Sequence, residues 1–173
     1  MKSKLKKAAL VLLVPFGSWA VLCNFESIAM IKEHREITVQ QPREKVFAFL
    51  TDDSKLSSWV KGIVSIEPFG EPKEGVGAKA RLVVNVPTEM EFVSTMSEWE
   101  PPRRFAWSVD VKEMASMAIY TLDEVDGGTR VTLDVEHRLK GFVMKFMSPF
   151  IRWHLKSERA KEMERLRKVL EEL

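Results

Sequence analysis

The sequence has few of the residues on which metal sites and covalent catalysis depend. Its 173 residues include one cysteine, Cys23, and three histidines that lie far apart, His34, His137 and His154. A single cysteine forms no intrachain disulfide, so the fold must rest on its hydrophobic core. The histidines show no metal-ligand spacing, and no G-x-S-x-G motif marks a serine nucleophile. We therefore expect no metal, no cofactor and no conventional catalytic residue.

An excess of charge of one sign is also missing. The chain has 27 Lys and Arg against 25 Asp and Glu, a net charge of +2 at pH 7. Residues 1–31 carry four lysines and one glutamate, which leaves 23 basic and 24 acidic side chains for residues 32–173. A near-neutral body has no basic surface of the kind that binds a phosphate backbone. Nucleic acid is therefore excluded as a partner.

The first 31 residues differ from the rest of the chain. Four lysines lie within residues 2–7, and residues 8–23 (AALVLLVPFGSWAVLC) contain no charge. Lysines ahead of an apolar run keep the N-terminus in the cytoplasm and send the following chain across the membrane. As a helix the run spans about 24 Å, or about 36 Å if it continues to Ile31, against a hydrocarbon core of about 30 Å. We interpret residues 1–31 as a signal or membrane-anchor segment, and residues 32–173 as one domain on the extracytoplasmic (periplasmic) side.

Three fates of this segment are open. Ser18-x-Ala20 offers a small-residue site for cleavage of a signal peptide, but the site is weak. Cys23 would be acylated in a lipoprotein, although Leu22 stands where a small residue is expected. We favour the third fate, an uncleaved transmembrane anchor.

Hydrophobic periodicity predicts the order of elements in the body. The stretch HREITVQQ alternates apolar and polar residues as a half-buried strand does, and Pro42 begins the first of two short helices. Strand patterns separated by turn residues then run from Ile63 to Leu139, with a hairpin at Asp126-Gly127-Gly128. Connections this short join antiparallel neighbours. The sequence thus predicts one strand, two helices and about six further strands of one antiparallel sheet.

The last stretch predicts a long helix that covers one face of this sheet. Ser148-Pro149 reads as a cap and first helical residue, so we expect the helix to restart there. Pairing across the hairpin puts Tyr120 and His137 on the covered face. Apolar or small side chains at helical spacing form the stripe expected to face the sheet: Phe142, Phe146, Phe150, Trp153, Ser157, Ala160, Met163, Leu166, Leu170 and Leu173.

Four features together resemble a known superfamily: the opening REITVQQPREKVFAFLTD, Trp59 after it, the hairpin strand GGTRVTLDVEHRL and the long terminal helix. Over about residues 34–173 the chain resembles the SRPBCC superfamily of START-like, polyketide cyclase/dehydrase and lipid-transport proteins. The apolar segment before the first strand resembles a membrane-tethered branch of it. The resemblance implies an α+β helix-grip fold, in which a curved antiparallel sheet of about seven strands grips the C-terminal helix, preceded by a transmembrane or signal helix. It also implies a hydrophobic cavity between sheet and helix.

The covered face and this fold together suggest which residues line the cavity. Tyr120 and His137 are the polar candidates for orienting a ligand, the alternatives being a core tyrosine bonded to a backbone carbonyl and a strand-end histidine near solvent. Ser157 would leave volume beside the helix, and the large residues before it would close a mouth. We expect Asp52 and Asp53 at the surface, where carboxylates keep ordinary pKa values and make poor catalysts. The candidate lining residues are Trp59, Phe92, Met96, Trp107, Tyr120, His137, Phe146, Phe150, Trp153 and Ser157.

Three functions fit these patterns. The first is non-catalytic binding or transport of a hydrophobic, lipid-like small molecule, and the lack of catalytic motifs favours it. The second is a polyketide cyclase- or dehydratase-like enzyme in which Tyr120 or His137 donates or accepts a proton. The third is a membrane-tethered module that binds a protein through the sheet edge or the charged face of the last helix. Ligand identity and oligomeric state do not follow from the sequence.

Overall fold

A seven-stranded antiparallel sheet forms the frame of the structure, a computed structural model that describes residues 29–85 and 88–173. Strands β2 to β7 follow one another as a meander, and β1 pairs with β7, which gives the order β1-β7-β6-β5-β4-β3-β2. The predicted antiparallel sheet of about seven strands is therefore confirmed. The strands are β1 (Met30–Val39), β2 (Ile63–Phe69), β3 (Lys79–Asn85), β4 (Glu89–Glu100), β5 (Arg104–Asp110), β6 (Met114–Val125) and β7 (Gly128–Leu139).

Short helices lie between β1 and β2, and a long one ends the chain. Pro42 precedes the first helix, where its missing N–H leaves no hydrogen bond unmade. The last helix begins at Ser148 with Pro149 in its first turn, as predicted. The helices are α1 (Arg43–Leu50), α2 (Leu56–Trp59, after a 3₁₀ turn at Asp53–Lys55), α3 (Phe142–Phe146) and α4 (Ser148–Glu171).

Two glycines shape the β6–β7 hairpin. Gly127 has a φ of 80°, a left-handed conformation that glycine adopts without steric cost. Gly128 is needed for another reason, because a Cβ there would lie 2.0 Å from the carbonyl oxygen of Val39. The end of β1 therefore packs directly on the hairpin. The register puts Tyr120 opposite Leu133, which confirms the predicted pairing of the two covered faces.

The later part of α4 packs its apolar side on the sheet and on α1. Met163, Leu166 and Leu170 are buried in one cluster with Val46 of α1 and Leu133 of β7. Full burial of an aliphatic side chain contributes about 1.5–3 kcal/mol. This part of the helix is gripped by the sheet as predicted.

The early part of α4 differs from the predicted stripe. The helix meets the sheet here through polar contacts: Arg35 Nη2 donates to the Lys156 carbonyl at 3.3 Å, and Arg152 Nη2 donates to the Met30 carbonyl at 3.2 Å. Because this end of the sheet offers polar groups, the apolar side of the helix turns away from it. The prediction that the whole stripe faces the sheet was therefore wrong for Phe142, Phe146, Phe150 and Trp153, which are exposed. Ala160 and Leu173, farther along the chain, are exposed as well.

The predicted anchor falls almost entirely on residues 1–28, which lie outside the described residues. Ile31 belongs to β1 and is buried in the sheet, so an apolar segment extended that far would include the first strand. Within residues 29–85 and 88–173, no helix is long and apolar enough to cross a bilayer.

Candidate ligand-binding cavity

A cavity of about 220 Å³ lies between the covered face of the sheet and the short helices. Strands β2 to β6 form its floor, α1, the 3₁₀ turn and α2 form its roof, and one residue of α4 reaches its edge. Alternate residues of each strand point into it, because side chains alternate across a sheet. Most of the lining residues are apolar or aromatic, and four are polar or charged, namely Asp52, Asp53, Ser94 and Arg159. The apolar and aromatic ones are Leu50, Leu56, Trp59, Val60, Ile66, Leu82, Phe92, Phe105, Trp107, Val109, Ala118 and Tyr120.

Tyr120 places a hydroxyl group in this apolar wall. Its ring stacks on Phe105 with the centroids 4.7 Å apart and meets the Trp59 ring edge-on at 6.3 Å. The hydroxyl forms no hydrogen bond with any residue in the described part of the chain. Burial raises the pKa of Tyr120 against the opposing effect of the Arg159 charge, so the hydroxyl stays protonated. The cavity thus contains a neutral hydrogen-bond donor that the fold itself does not use.

Arg159 brings a positive charge to the edge of the cavity. Its Nη1 donates to Glu162 Oε2 at 2.5 Å, while its buried Nε has no hydrogen-bond acceptor among the described residues. Burial raises the pKa of Glu162 against the opposing charges of Arg159 and Arg165. A single partner leaves the donors of the guanidinium partly unused. The edge of the cavity therefore favours a ligand with a hydrogen-bond acceptor or a negative charge.

Two neighbouring aspartates reach the cavity from the 3₁₀ turn. Asp52 Oδ1 accepts hydrogen bonds from the hydroxyl of Ser54 at 2.6 Å and from its backbone N–H at 2.9 Å, and these lower the pKa of Asp52. Burial, helped by the charge of Asp52, raises the pKa of Asp53. The expectation of ordinary pKa values was therefore wrong for both carboxylates, and both border the cavity, although Asp52 is also exposed at the surface as expected.

Four of the ten predicted lining residues lie in this cavity: Trp59, Phe92, Trp107 and Tyr120. Met96 is buried but lines a smaller neighbouring cavity of about 60 Å³, which Trp107 and Asp53 also border. The other predicted members lie elsewhere. Ser157 lies on α4, half-buried and outside the lining. The aromatic residues before it are in solvent and close no mouth: Phe146, Phe150 and Trp153.

His137 belongs to a separate polar cluster between the sheet and α4. Its Nδ1 lies 2.8 Å from Ser116 Oγ, and its Nε2 lies 3.9 Å from Glu33 Oε1. Both carboxylate oxygens of Glu33 are buried without a hydrogen bond to the described residues. Burial, reinforced by the charge of Arg159, lowers the pKa of His137 to about 4, so the ring is neutral at pH 7. His137 is therefore covered as its strand position predicted, but it does not face the cavity.

Sequence reasoning missed several lining residues for which a signal was present. Leu82 pairs directly with Phe92 across β3 and β4, so strand pairing points to both once one of them is assigned. The signal for Arg159 is weaker, because in the sequence it belongs to a charged helix face that is typically exposed to solvent, and only the folded structure brings it to the cavity edge. Together the lining can hold an apolar molecule and offer its polar end the Tyr120 hydroxyl and the Arg159 charge.

The sequence profile of one protein family matches most of the described chain. The family is described as polyketide cyclase / dehydrase and lipid transport, and the match covers residues 30–171. None of the curated proteins compared with the chain matches its sequence significantly.

Solved structures with the same fold are numerous, at low sequence identity. The di-domain ARO/CYC StfQ from the steffimycin biosynthetic pathway superposes with a TM-score of 0.71 at 9% identity, over 90% of this chain and 55% of that protein. The chain thus spans about half the length of that relative. The Zhui aromatase/cyclase from Streptomyces sp. R1128 superposes with a TM-score of 0.69 at 14% identity, over 82% of this chain and 94% of that one. A protein from Thermus thermophilus superposes with a TM-score of 0.61 at 20% identity, over 83% of this chain and 94% of that one. At these identities the likeness establishes the helix-grip fold alone.

Proposed function

Because the chain belongs to the polyketide cyclase / dehydrase and lipid-transport family, we propose that its domain binds one apolar small molecule in the cavity without changing it chemically. The observation that carries the proposal is a largely apolar cavity whose wall holds a buried, unused hydroxyl. Ligand sites are typically apolar clefts in which a few polar groups fix the orientation of the ligand.

The volume limits the size of the ligand. An apolar cavity of about 150 Å³ accepts benzene. A cavity of about 220 Å³ therefore suits a molecule of one or two rings, or a short acyl chain. The aromatic side chains of Trp59, Phe92, Phe105 and Trp107 favour flat rings, because offset and edge-on ring contacts add to the burial of apolar area.

The polar groups limit its chemistry. Tyr120 donates one hydrogen bond, and Arg159 attracts an acceptor or an anion at the edge of the cavity. Asp53 stands nearby, and its carboxylate, where ionised, repels a second negative charge close to it. The ligand we propose is thus an apolar ring system or acyl chain that ends in one carbonyl, carboxylate or phenolic oxygen.

The N-terminal segment supports a location for this binding. Four lysines followed by the charge-free residues 8–23 are typical of a membrane anchor that leaves the body outside the cytoplasm. A binder of apolar molecules held at a bilayer would exchange its ligand with lipid. Carbonate extraction of membranes would test the anchor, since an anchored chain stays in the membrane pellet and a peripheral one is released.

A matched pair of variants tests the cavity. Ala118→Phe places a ring in the cavity, whereas Ala115→Phe makes the same change on the same strand with the side chain on the opposite face. For an anionic two-ring probe such as naphthalene-2-sulfonate, we expect Ala118→Phe to weaken binding about tenfold or more, a loss of about 1.4 kcal/mol. Ala115→Phe should bind as the original chain does. Equal binding by both variants, with both folded by circular dichroism, would refute the proposal.

A second variant tests the hydroxyl. Tyr120→Phe removes one hydrogen bond worth about 1 kcal/mol, so affinity for a ring ligand with a carbonyl should fall about fivefold. Affinity for the corresponding hydrocarbon should not change, because it never used the hydroxyl. An equal loss for both ligands would show that Tyr120 acts through packing alone.

Enzymatic cyclisation is the second candidate, and one observation favours it. Tyr120 is a neutral, unpartnered donor in the cavity, and proton transfer to a carbonyl oxygen is the step that a cyclase- or dehydratase-like reaction needs. The solved relatives StfQ and Zhui are described as aromatase/cyclases. Turnover of a poly-β-keto thioester that disappears in Tyr120→Phe while binding persists would favour this candidate over simple binding.

A further inference from the structure

The chain around the start of α4 carries a contiguous apolar surface in solvent. We call it the aromatic face and define it as Phe142, Val143, Phe146, Met147, Phe150 and Trp153. Phe146 is 75% exposed, Phe150 62% and Trp153 67%. The rings pair with one another, Phe142 with Phe146 at 6.5 Å and Phe150 with Trp153 at 6.2 Å. Contiguous exposed apolar surface of this kind marks an interaction site rather than scattered surface residues.

The stretch of sequence that carries the aromatic face has no acidic residue. Residues 137–157 contain no Asp or Glu; Lys145, Arg152 and Lys156 lie on α3 and α4, while Lys140 is paired with Asp110 at the end of β5. The following residues 158–172 hold five acidic and five basic side chains. A helix with Trp and Phe on one side and Lys and Arg beside them is typical of segments that lie in the interface of an anionic bilayer. We propose that the aromatic face docks the body on the surface of a bilayer that contains anionic lipid.

The path of the chain supports this occupant. Arg152, between Phe150 and Trp153, donates to the carbonyl of Met30 at the start of β1, so the N-terminal segment joins the body beside the aromatic face. Five residues, 24–28, separate Cys23 from Ala29, and they reach at most about 20 Å when extended. If residues 8–23 sit in a bilayer, the aromatic face therefore lies close to the surface of that bilayer. The docking shares this anchor with the proposed function but is independent of the cavity.

Other occupants fit the charges less well. A second copy of this chain, docked through the same surface, would bring the basic residues of α4, Arg152 and Lys156, against those of its partner copy, and like charges directly opposed are unfavourable. Residues 8–23 of the same chain would cover the rings but carry no charge to compensate the basic residues. An anionic membrane satisfies the aromatic and the basic side chains together.

Spin-label accessibility on the full-length chain tests the proposal. In a Cys23→Ser background, Phe150→Cys and, as a second site, Phe146→Cys carry the label, and Lys168→Cys on the later part of α4 is the control. Each protein is reconstituted in vesicles of phosphatidylcholine and phosphatidylglycerol and recovered by flotation. Electron paramagnetic resonance then compares relaxation by oxygen, which concentrates in lipid, with relaxation by a nickel chelate, which stays in water.

The outcomes separate the possible occupants. Docking on the bilayer predicts that labels at 150 and 146 show a severalfold higher oxygen-to-nickel ratio than the label at 168. A water-like ratio at both aromatic positions in vesicle-bound protein would overturn the proposal. So would protection from both reagents, which would indicate a second copy or the chain's own apolar segment on the aromatic face, and so would a full-length chain that does not float with the vesicles. A result that overturns membrane docking would not change the ligand binding expected of the cavity variants. The two proposals can therefore be refuted independently.

Discussion

The two parts of α4 follow one helix but present opposite chemistry to the sheet. In the core half, residues 158–171, Met163, Leu166 and Leu170 are buried against the sheet. In the aromatic half, residues 148–157, the large apolar side chains point to solvent and the contacts with the sheet are polar. An apolar stripe at helical spacing therefore indicates that a helix packs against another surface, but that surface need not be the same along the whole helix.

The difference follows from what lies beneath each half. The core half lies over apolar residues of β7 and α1, such as Leu133 and Val46, so its apolar side gains by burial there. Near the aromatic half the covered face carries Glu33 and His137, which are buried with unsatisfied polar atoms. Apolar rings packed on those groups would add no hydrogen-bond partner for them, and an unpaired buried polar group costs free energy. The contacts of the helix with β1 are polar here: Arg152 donates to the Met30 carbonyl, and the Lys156 carbonyl accepts from Arg35.

The largest expected effect is a difference in stability between a variant of the core half and a variant of the aromatic half. Leu166→Ala in the core half should lower the free energy of unfolding by about 2–5 kcal/mol, because it leaves a void in a buried cluster. Phe150→Ala in the aromatic half should change it by less than about 0.5 kcal/mol in the absence of lipid, because the side chain is exposed. Urea denaturation measures both. Equal losses would show that the aromatic half is packed as tightly as the core half.

The next effect concerns the polar cluster near the aromatic half. The pKa of His137 is about 4 in the folded chain against 6.5 for an unperturbed histidine, so between these pH values the unfolded chain binds more protons. Stability should therefore fall as the pH drops through this window, by up to about 3 kcal/mol from this group alone. His137→Gln removes the titration and keeps a polar side chain for Ser116. Denaturation from pH 7 to pH 4 should show a weaker acid dependence in the variant, and identical profiles would contradict the assignment.

The smallest effect compares one arginine from each half. Arg165 of the core half donates from Nε to the carbonyl of Trp59 at 2.9 Å, which ties α4 to the wall of the cavity. Arg165→Gln should cost about 1–2 kcal/mol of stability, since the carbonyl loses a charged donor. Arg152→Gln in the aromatic half removes an exposed contact and should cost less than about 0.5 kcal/mol. A larger loss for Arg152 would mean that the polar contacts, and not the buried leucines, hold the helix.

Much of the fold could be predicted from the sequence because local patterns and pairing agree there. The turn at Asp126-Gly127 sets the register of β6 and β7, and alternation then assigns Tyr120 and Leu133 to the covered face. The helix restart at Ser148 follows from the proline after it. These features depend on residues that are close in sequence or joined by one hairpin, so they can be predicted from turn residues and hydrophobic periodicity alone.

The site could be predicted only in part, because its edges depend on tertiary placement. Trp59, Phe92 and Trp107 were predicted from strand parity and from the family resemblance. Asp53 and Arg159 enter the wall because the 3₁₀ turn before α2 and the long helix α4 come together over the sheet. The aromatic half was misassigned because exposed and buried apolar stripes look alike in sequence. Only the polar partners beneath the helix, which lie far away along the chain, distinguish them.

Fluorine NMR on 5-fluorotryptophan-labelled protein tests the central claim, that the cavity and not the aromatic face receives small apolar ligands. Trp59 and Trp107 line the cavity, and Trp153 lies on the aromatic face. On titration with naphthalene-2-sulfonate in the absence of lipid, the resonances of Trp59 and Trp107 should shift and saturate at one equivalent, while Trp153 stays in place. A shift confined to Trp153, with Trp59 and Trp107 unchanged at saturation, would contradict the account.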